Sequence, residues 1–150
     1  MIVELTPEER SQVIEGYDQI YEIIRRILMF ENEAGRKREH FWGVGFQTID
    51  TIEYVELVAL GAGNKVYVSP RELFQLPILL SCPRILVAHN HPSGLPEFSA
   101  ADRKLTRRLV DAGDMMDIDV MDHLVLTLDH GYKAALHQKG TSPFKGGKGK

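Results

Sequence analysis

Arg84-Ile85-Leu86-Val87-Ala88-His89-Asn90-His91-Pro92-Ser93-Gly94, followed by Ser99 and Asp102, is the stretch on which the reading of this 150-residue chain turns. The continuous apolar run at 85–88 has the character of a buried central strand. His89 and His91 stand two positions apart at its end, so an extended backbone points both imidazoles to the same side. Two prolines, Pro92 and Pro96, stiffen the loop that turns the chain back. Ser99-Ala100-Ala101-Asp102 then has the form of a helix start, with Asp102 one turn in, where its carboxylate can face the strand end. Two imidazoles and one carboxylate can hold a zinc ion by three bonds and leave a fourth position for water. That donor set is typical of catalytic zinc, whereas structural zinc usually takes four ligands rich in cysteine.

Zinc held there would bring the pKa of a bound water to roughly 7 and polarise a substrate carbonyl. Hydrolysis also needs a carboxylate that carries a proton from water to the leaving group. The Ser99 hydroxyl could steady the tetrahedral oxyanion. Each feature has a plainer explanation when taken singly. Ser99 and Asp102 make an ordinary capping pair. A lone His-x-His is often a turn, and Asn-His-Pro-Ser-Gly can be a tight loop. Their joint occurrence after a buried strand is the demanding observation.

Upstream, Thr6-Pro7-Glu8-Glu9 is a capping box with proline in the first turn. Apolar residues at helical spacing continue from Val13 to about Phe30, with Gly16 offering a break into two helices. Aromatic and β-prone residues at 39–48 and 54–60 read as strands. Ser69-Pro70-Arg71-Glu72 launches a short helix in which Pro77 either kinks the chain or stops it. Downstream, a helix runs from Ser99 to about Asp117, a strand occupies 124–128, and 132–136 is its hairpin return across Asp129-His130-Gly131. The elements mix without regular βαβ alternation, so a mixed α/β sandwich is expected, with helices on a curved sheet.

Composition sets further bounds. Hydrophobic residues make up 43% and charged residues 26%, as in an ordinary globular domain. The net charge of −3 does not favour nucleic acid. Cys82 is the single cysteine, so no internal disulfide can form; a buried, inert thiol is expected. The chain opens without a basic n-region or a long apolar segment, and no stretch approaches a membrane span. A cytoplasmic location is the expectation.

His-x-His-Pro, six residues, then Ser-x-x-Asp resembles the JAMM signature of the JAB1/MPN metalloprotease superfamily. Ala88-His89-Asn90-His91-Pro92-Ser93-Gly94 resembles more narrowly its bacterial RadC-like (JAB-domain) branch. Arg38-Glu39-His40-Phe41, Ser69-Pro70-Arg71-Glu72-Leu73-Phe74, Leu105-Thr106-Arg107-Arg108-Leu109 and Asp122-His123-Leu124 are similar to other segments of that branch. The resemblance implies a single MPN (JAB) domain, a cytidine-deaminase-like α/β/α sandwich, and zinc-dependent hydrolysis. Carried over by position, it makes His89, His91 and Asp102 the zinc ligands, Ser99 the oxyanion-stabilising serine, and Glu39 the general base and acid. On composition alone Glu53, Glu56, Glu72 and Glu97 are equal candidates for that last role. His123 reads as a structural or core histidine, His40, His130 and His137 as surface or turn residues, and Phe41 and Trp42 as core.

The expected organisation is an acidic helical extension at 1–35, the RadC-like domain at 36–137, and a flexible Lys/Gly-rich tail at 138–150. The extension shows no Gly-rich hairpin of the DNA-binding kind found in longer relatives, so a DNA-repair role gains nothing from it. The chain also lacks length for the segments by which eukaryotic relatives grip ubiquitin. The expected function is a zinc metallopeptidase acting on a peptide or isopeptide bond of a protein or peptide substrate, without membrane attachment. The alternatives are a DNA-repair-associated factor with a nucleic-acid role and a non-catalytic MPN scaffold. The acidic helix can dock on its own domain or on a second copy, the latter giving a homodimer.

Overall fold

The computed structural model of the protein describes residues 1–61, 66–137 and 143–144. In chain order the elements are β1 (Ile2–Val3), α1 (Pro7–Ser11), α2 (Tyr17–Met29), α3 (Glu33–Arg36), β2 (His40–Phe46), β3 (Ile52–Leu60), α4 (Pro70–Leu79), β4 (Arg84–Asn90), α5 (Ala100–Met115), β5 (Asp119–Leu126) and β6 (Tyr132–Ala134). The strands form one open, mixed sheet in the order β1-β3-β2-β4-β5-β6. Every pairing is antiparallel except β4 with β5, which run parallel because α5 carries the chain across between them.

Side-chain alternation divides the core into two layers. Trp42, Val44 and Phe46 of β2 and Leu86 and Ala88 of β4 face one side, where Ile20, Ile24 and Leu28 of α2 cover them. Phe41, Ile85 and Val87 face the other, under Leu73 and Phe74 of α4 and Leu109 of α5. The result is the expected α/β/α sandwich. His89 continues the Ile85–Val87 side of β4, so it emerges beneath α5.

The N-terminal helical region breaks at Gly16, as its sequence allows, and its second half docks on its own domain, with Ile20 and Ile24 fully buried. Several other local details depart from the periodicity reading. Two residues before that helical region add an edge strand that periodicity did not reveal. Pro77 neither stops nor ends α4, which runs on to Leu79. Strand β5 begins at Asp119, five residues before the expected 124, because polar Asp122 and His123 interrupt the apolar pattern yet are both fully buried. The expected tail at 138–150 lies outside the described residues except for Pro143 and Phe144. Phe144 is 1% exposed and packs edge-on against Tyr17. Among the described residues no helix is long and apolar enough to cross a membrane.

Candidate metal centre

Strand β4 delivers His89 and its continuation delivers His91. The His91 amide still donates to the Leu126 carbonyl at 2.9 Å, which holds the residue to the end of the neighbouring strand β5. The capping box of α5 delivers Asp102. Ser99 Oγ accepts the Asp102 amide at 3.0 Å, and Asp102 Oδ2 accepts the Ser99 amide at 2.9 Å. Three side-chain donor atoms therefore converge. His89 Nε2 lies 3.0 Å from His91 Nε2 and 3.4 Å from Asp102 Oδ1, and His91 Nε2 lies 3.2 Å from Asp102 Oδ2. Glu39 joins them. One carboxylate oxygen of Glu39 and one ring nitrogen of each of His89 and His91 all lie within 4.8 Å of one another.

This donor set suits a metal. The Leu95 carbonyl, which can only accept, lies 3.0 Å from His91 Nδ1, so that nitrogen donates and leaves Nε2 facing the site. Imidazole nitrogens this close to each other and to a carboxylate repel unless a cation or proton lies among them. Bonds of roughly 2.0–2.1 Å at tetrahedral angles place zinc ligand atoms about 3.4 Å apart, close to the spacings found here. The His/Glu/Asp cluster could thus hold a metal ion.

Electrostatics separate the two carboxylates. Burial pushes Asp102 up, but the adjoining His89 and His91 imidazoles and the Ser99 amide outweigh it and hold the carboxyl far below its usual range. Burial raises Glu39, with His91 opposing and Asp102 adding to the shift. The neighbouring Asp102 carboxylate raises His91, and burial lowers His89. One carboxylate is thus held ionised, while the other is 9% exposed, shifted toward neutral pH, and makes no side-chain hydrogen bond among the described residues.

Residues outside the sequence pattern complete the site. Asn90, the middle residue of His-Asn-His, is buried. Its Oδ1 accepts the His40 amide at 2.6 Å and its Nδ2 donates to the Arg38 carbonyl at 3.0 Å. It therefore clamps the backbone on both sides of Glu39, and that clamp places the glutamate. His40 is not a surface residue. It is 2% exposed, stacks on Trp42 with centroids 5.2 Å apart, and has its Nε2 3.5 Å from the Glu31 carboxylate. His123 lies against His89, with its Nε2 2.7 Å from His89 Nδ1. The Phe41 and Phe98 rings flank both imidazoles. Cys82 is buried and unpaired, and burial raises its thiol. A cleft of about 670 Å³ opens over the cluster. Phe41, Val68 and Leu105 form its apolar wall, and Lys37 and Arg108 are its cations.

Comparison with known proteins identifies the family of the domain. The profile of the RadC-like JAB domain matches residues 14–141. The chain belongs to the RadC-like JAB domain family. A UPF0758 protein of Desulforudis audaxviator is 43% identical over 99 residues, which is 66% of this chain and 43% of that protein. A UPF0758 protein of Caldanaerobacter subterraneus subsp. tengcongensis is 36% identical over 118 residues, 79% of this chain and 50% of its own length. The chain therefore spans about half the length of these curated relatives. The RadC-like match begins at Ile14, so it takes in helix α2 as well as strands β2 to β6.

Proposed function

We propose that the protein is a zinc-dependent metallopeptidase that cleaves a peptide or isopeptide bond in a protein or peptide substrate. The observation that carries this reading is the convergence of His89, His91 and Asp102 beside a second carboxylate, Glu39, that makes no side-chain hydrogen bond among the described residues, all lining one cleft. His89, His91 and Asp102 would hold the ion. When bound, zinc supplies Lewis acidity, which polarises a carbonyl and acidifies a water. Glu39, buried and raised, suits a group that takes a proton from water and returns it to the leaving amine. The Ser99 hydroxyl accepts the Asp102 amide and keeps its own proton for an oxyanion.

The purified protein is expected to carry about one zinc per chain, as three-ligand sites do. His89→Ala should lose the metal. Glu39→Gln should keep it and lose about 10²–10⁴ in turnover. Proteomic comparison of cells carrying the active protein and the Glu39→Gln variant identifies the substrate class through differential cleavage products. Unchanged metal content in His89→Ala would overturn the ligand assignment.

A nucleic-acid role is the second reading. The observation that favours it is the exposed basic run Arg103, Lys104, Arg107 and Arg108 on α5, beside the cleft. It requires DNA affinity that falls steeply with salt and is lost when Arg103, Lys104 and Arg107 are made glutamate. Salt-independent or absent binding rejects it.

A further inference from the structure

Behind the metal centre lies a line of buried polar groups that the proposed chemistry does not use. Thr106 Oγ1 lies 2.9 Å from the Asp102 carbonyl and 2.7 Å from His123 Nδ1, and His123 Nε2 lies 2.7 Å from His89 Nδ1. The direction of each bond follows from what each group can do. A backbone carbonyl only accepts, so the single hydroxyl proton of Thr106 goes to Asp102 O. Toward His123 the hydroxyl can then only accept, so Nδ1 of His123 carries the proton. Neutral His123, fully buried between the Phe41 and Phe98 rings, is left with a bare Nε2. The bond to His89 must therefore be donated by His89 Nδ1–H. That leaves His89 Nε2 bare at the one place where it faces His91 and Asp102.

A register shift in the sheet makes the contact. Ile85 pairs with Val120 and Val87 with His123, so two steps along β4 match three along β5. The extra residue turns His123 onto the same face as Val120, beneath α5. Uninterrupted alternation from Val120 would have sent it to the opposite face.

We propose that Thr106 and His123 are positioning residues that lock His89 in its Nδ1–H tautomer and so aim Nε2 as a metal ligand. The proposal rests on the zinc reading for its purpose but not for its test, because the tautomers exist in the metal-free protein. Imidazole ¹⁵N–¹H correlation spectra of the metal-free chain at neutral pH should show protonated Nδ1 and bare Nε2 at both His89 and His123. Thr106→Val removes the hydroxyl at nearly constant shape. It should invert both tautomers and weaken zinc binding about 10–100-fold, while Thr106→Ser keeps the wild-type spectrum and affinity. A Thr106→Val protein with unaltered tautomers and affinity overturns the proposal. So does wild-type protein with the His89 proton on Nε2, a result that needs no variant to fold. Wild-type protein that shows the inferred tautomers but binds no zinc would refute the metal reading and leave the relay standing.

Discussion

Ser99 and Asp102 each do two things with one side chain. Their reciprocal capping bonds close the first turn of α5, and the same bonds point Asp102 at His91 and leave the Ser99 hydroxyl proton facing the cleft. Capping and site chemistry are therefore compatible readings of these residues, and a choice of substitution separates them. Glycine is nearly as good an N-cap as serine, so Ser99→Gly should change stability by only a few tenths of a kcal/mol, whereas Ser99→Ala should cost about 1 kcal/mol. Both should reduce peptidase turnover about 10²–10³-fold if the hydroxyl steadies an oxyanion. Full turnover in the glycine variant would leave Ser99 as a cap alone. A second residue-level prediction concerns Glu9, which receives Arg26 Nε at 2.6 Å and a further Arg26 nitrogen at 2.7 Å. Burial raises Glu9, but the Arg26 bonds and the Thr6 amide outweigh it, and the net shift is downward from 4.5. A carboxylate lowered on folding contributes stability that is fully present above its unfolded value and is lost as pH falls through its folded one. Urea midpoints should show Glu9→Gln destabilised by about 1–2 kcal/mol at pH 6, with the gap closing below pH 4.5. A gap that persists at pH 2 would place the effect in packing rather than charge.

At the scale of elements, α4 and α5, the two helices on the His89 face of the sheet, end in the same way. Cys82 N donates to the Pro77 carbonyl and Ser81 N to that of Ile78 after α4. Ile118 N and Asp117 N do the same to Gly113 and Asp114 after α5. Each motif puts its turning residue at φ 56°, in the left-handed region that favours glycine, yet the residues are Ser81 and Asp117. Ser81→Gly should therefore stabilise the protein by about 1 kcal/mol, read as a higher urea midpoint, with a smaller gain for Asp117→Gly because aspartate tolerates that region better. No gain at Ser81 would mean that its hydroxyl or the unfolded chain compensates. Gly113 is bound to its place by approach rather than by dihedral angle, since a Cβ there would meet the Ile118 carbonyl oxygen at 2.4 Å. Elements were legible where periodicity was unbroken, as at 85–88 and along α5. They were not legible at β1, too short to carry a pattern, or at the start of β5, where a register shift and two buried polar residues break the alternation.

For the whole molecule, the N-terminal region is part of the core. Ile20, Ile24 and Leu28 of α2 close one face of the sheet together with Trp42 and Phe46, and Tyr17 donates to buried Asp122 at 2.7 Å, across to β5. Ile24→Ala should cost about 2–5 kcal/mol, while Val13→Ala, at an exposed site, should stay within about 0.5 kcal/mol. Equal and small effects in thermal melts would show that the helix is a dispensable extension. From its residues alone, this chain could be read as an α/β domain whose His89, His91 and Asp102 meet, because strand alternation and a capping box are local rules that act within a few residues of the pattern. Only the tertiary structure decided that Glu39 is the neighbouring carboxylate, that Asn90 places it, and that His123 backs His89. Those contacts join positions 34 to 52 residues apart through strand pairing and one register shift, and no local periodicity encodes which distant residue a sheet will bring alongside.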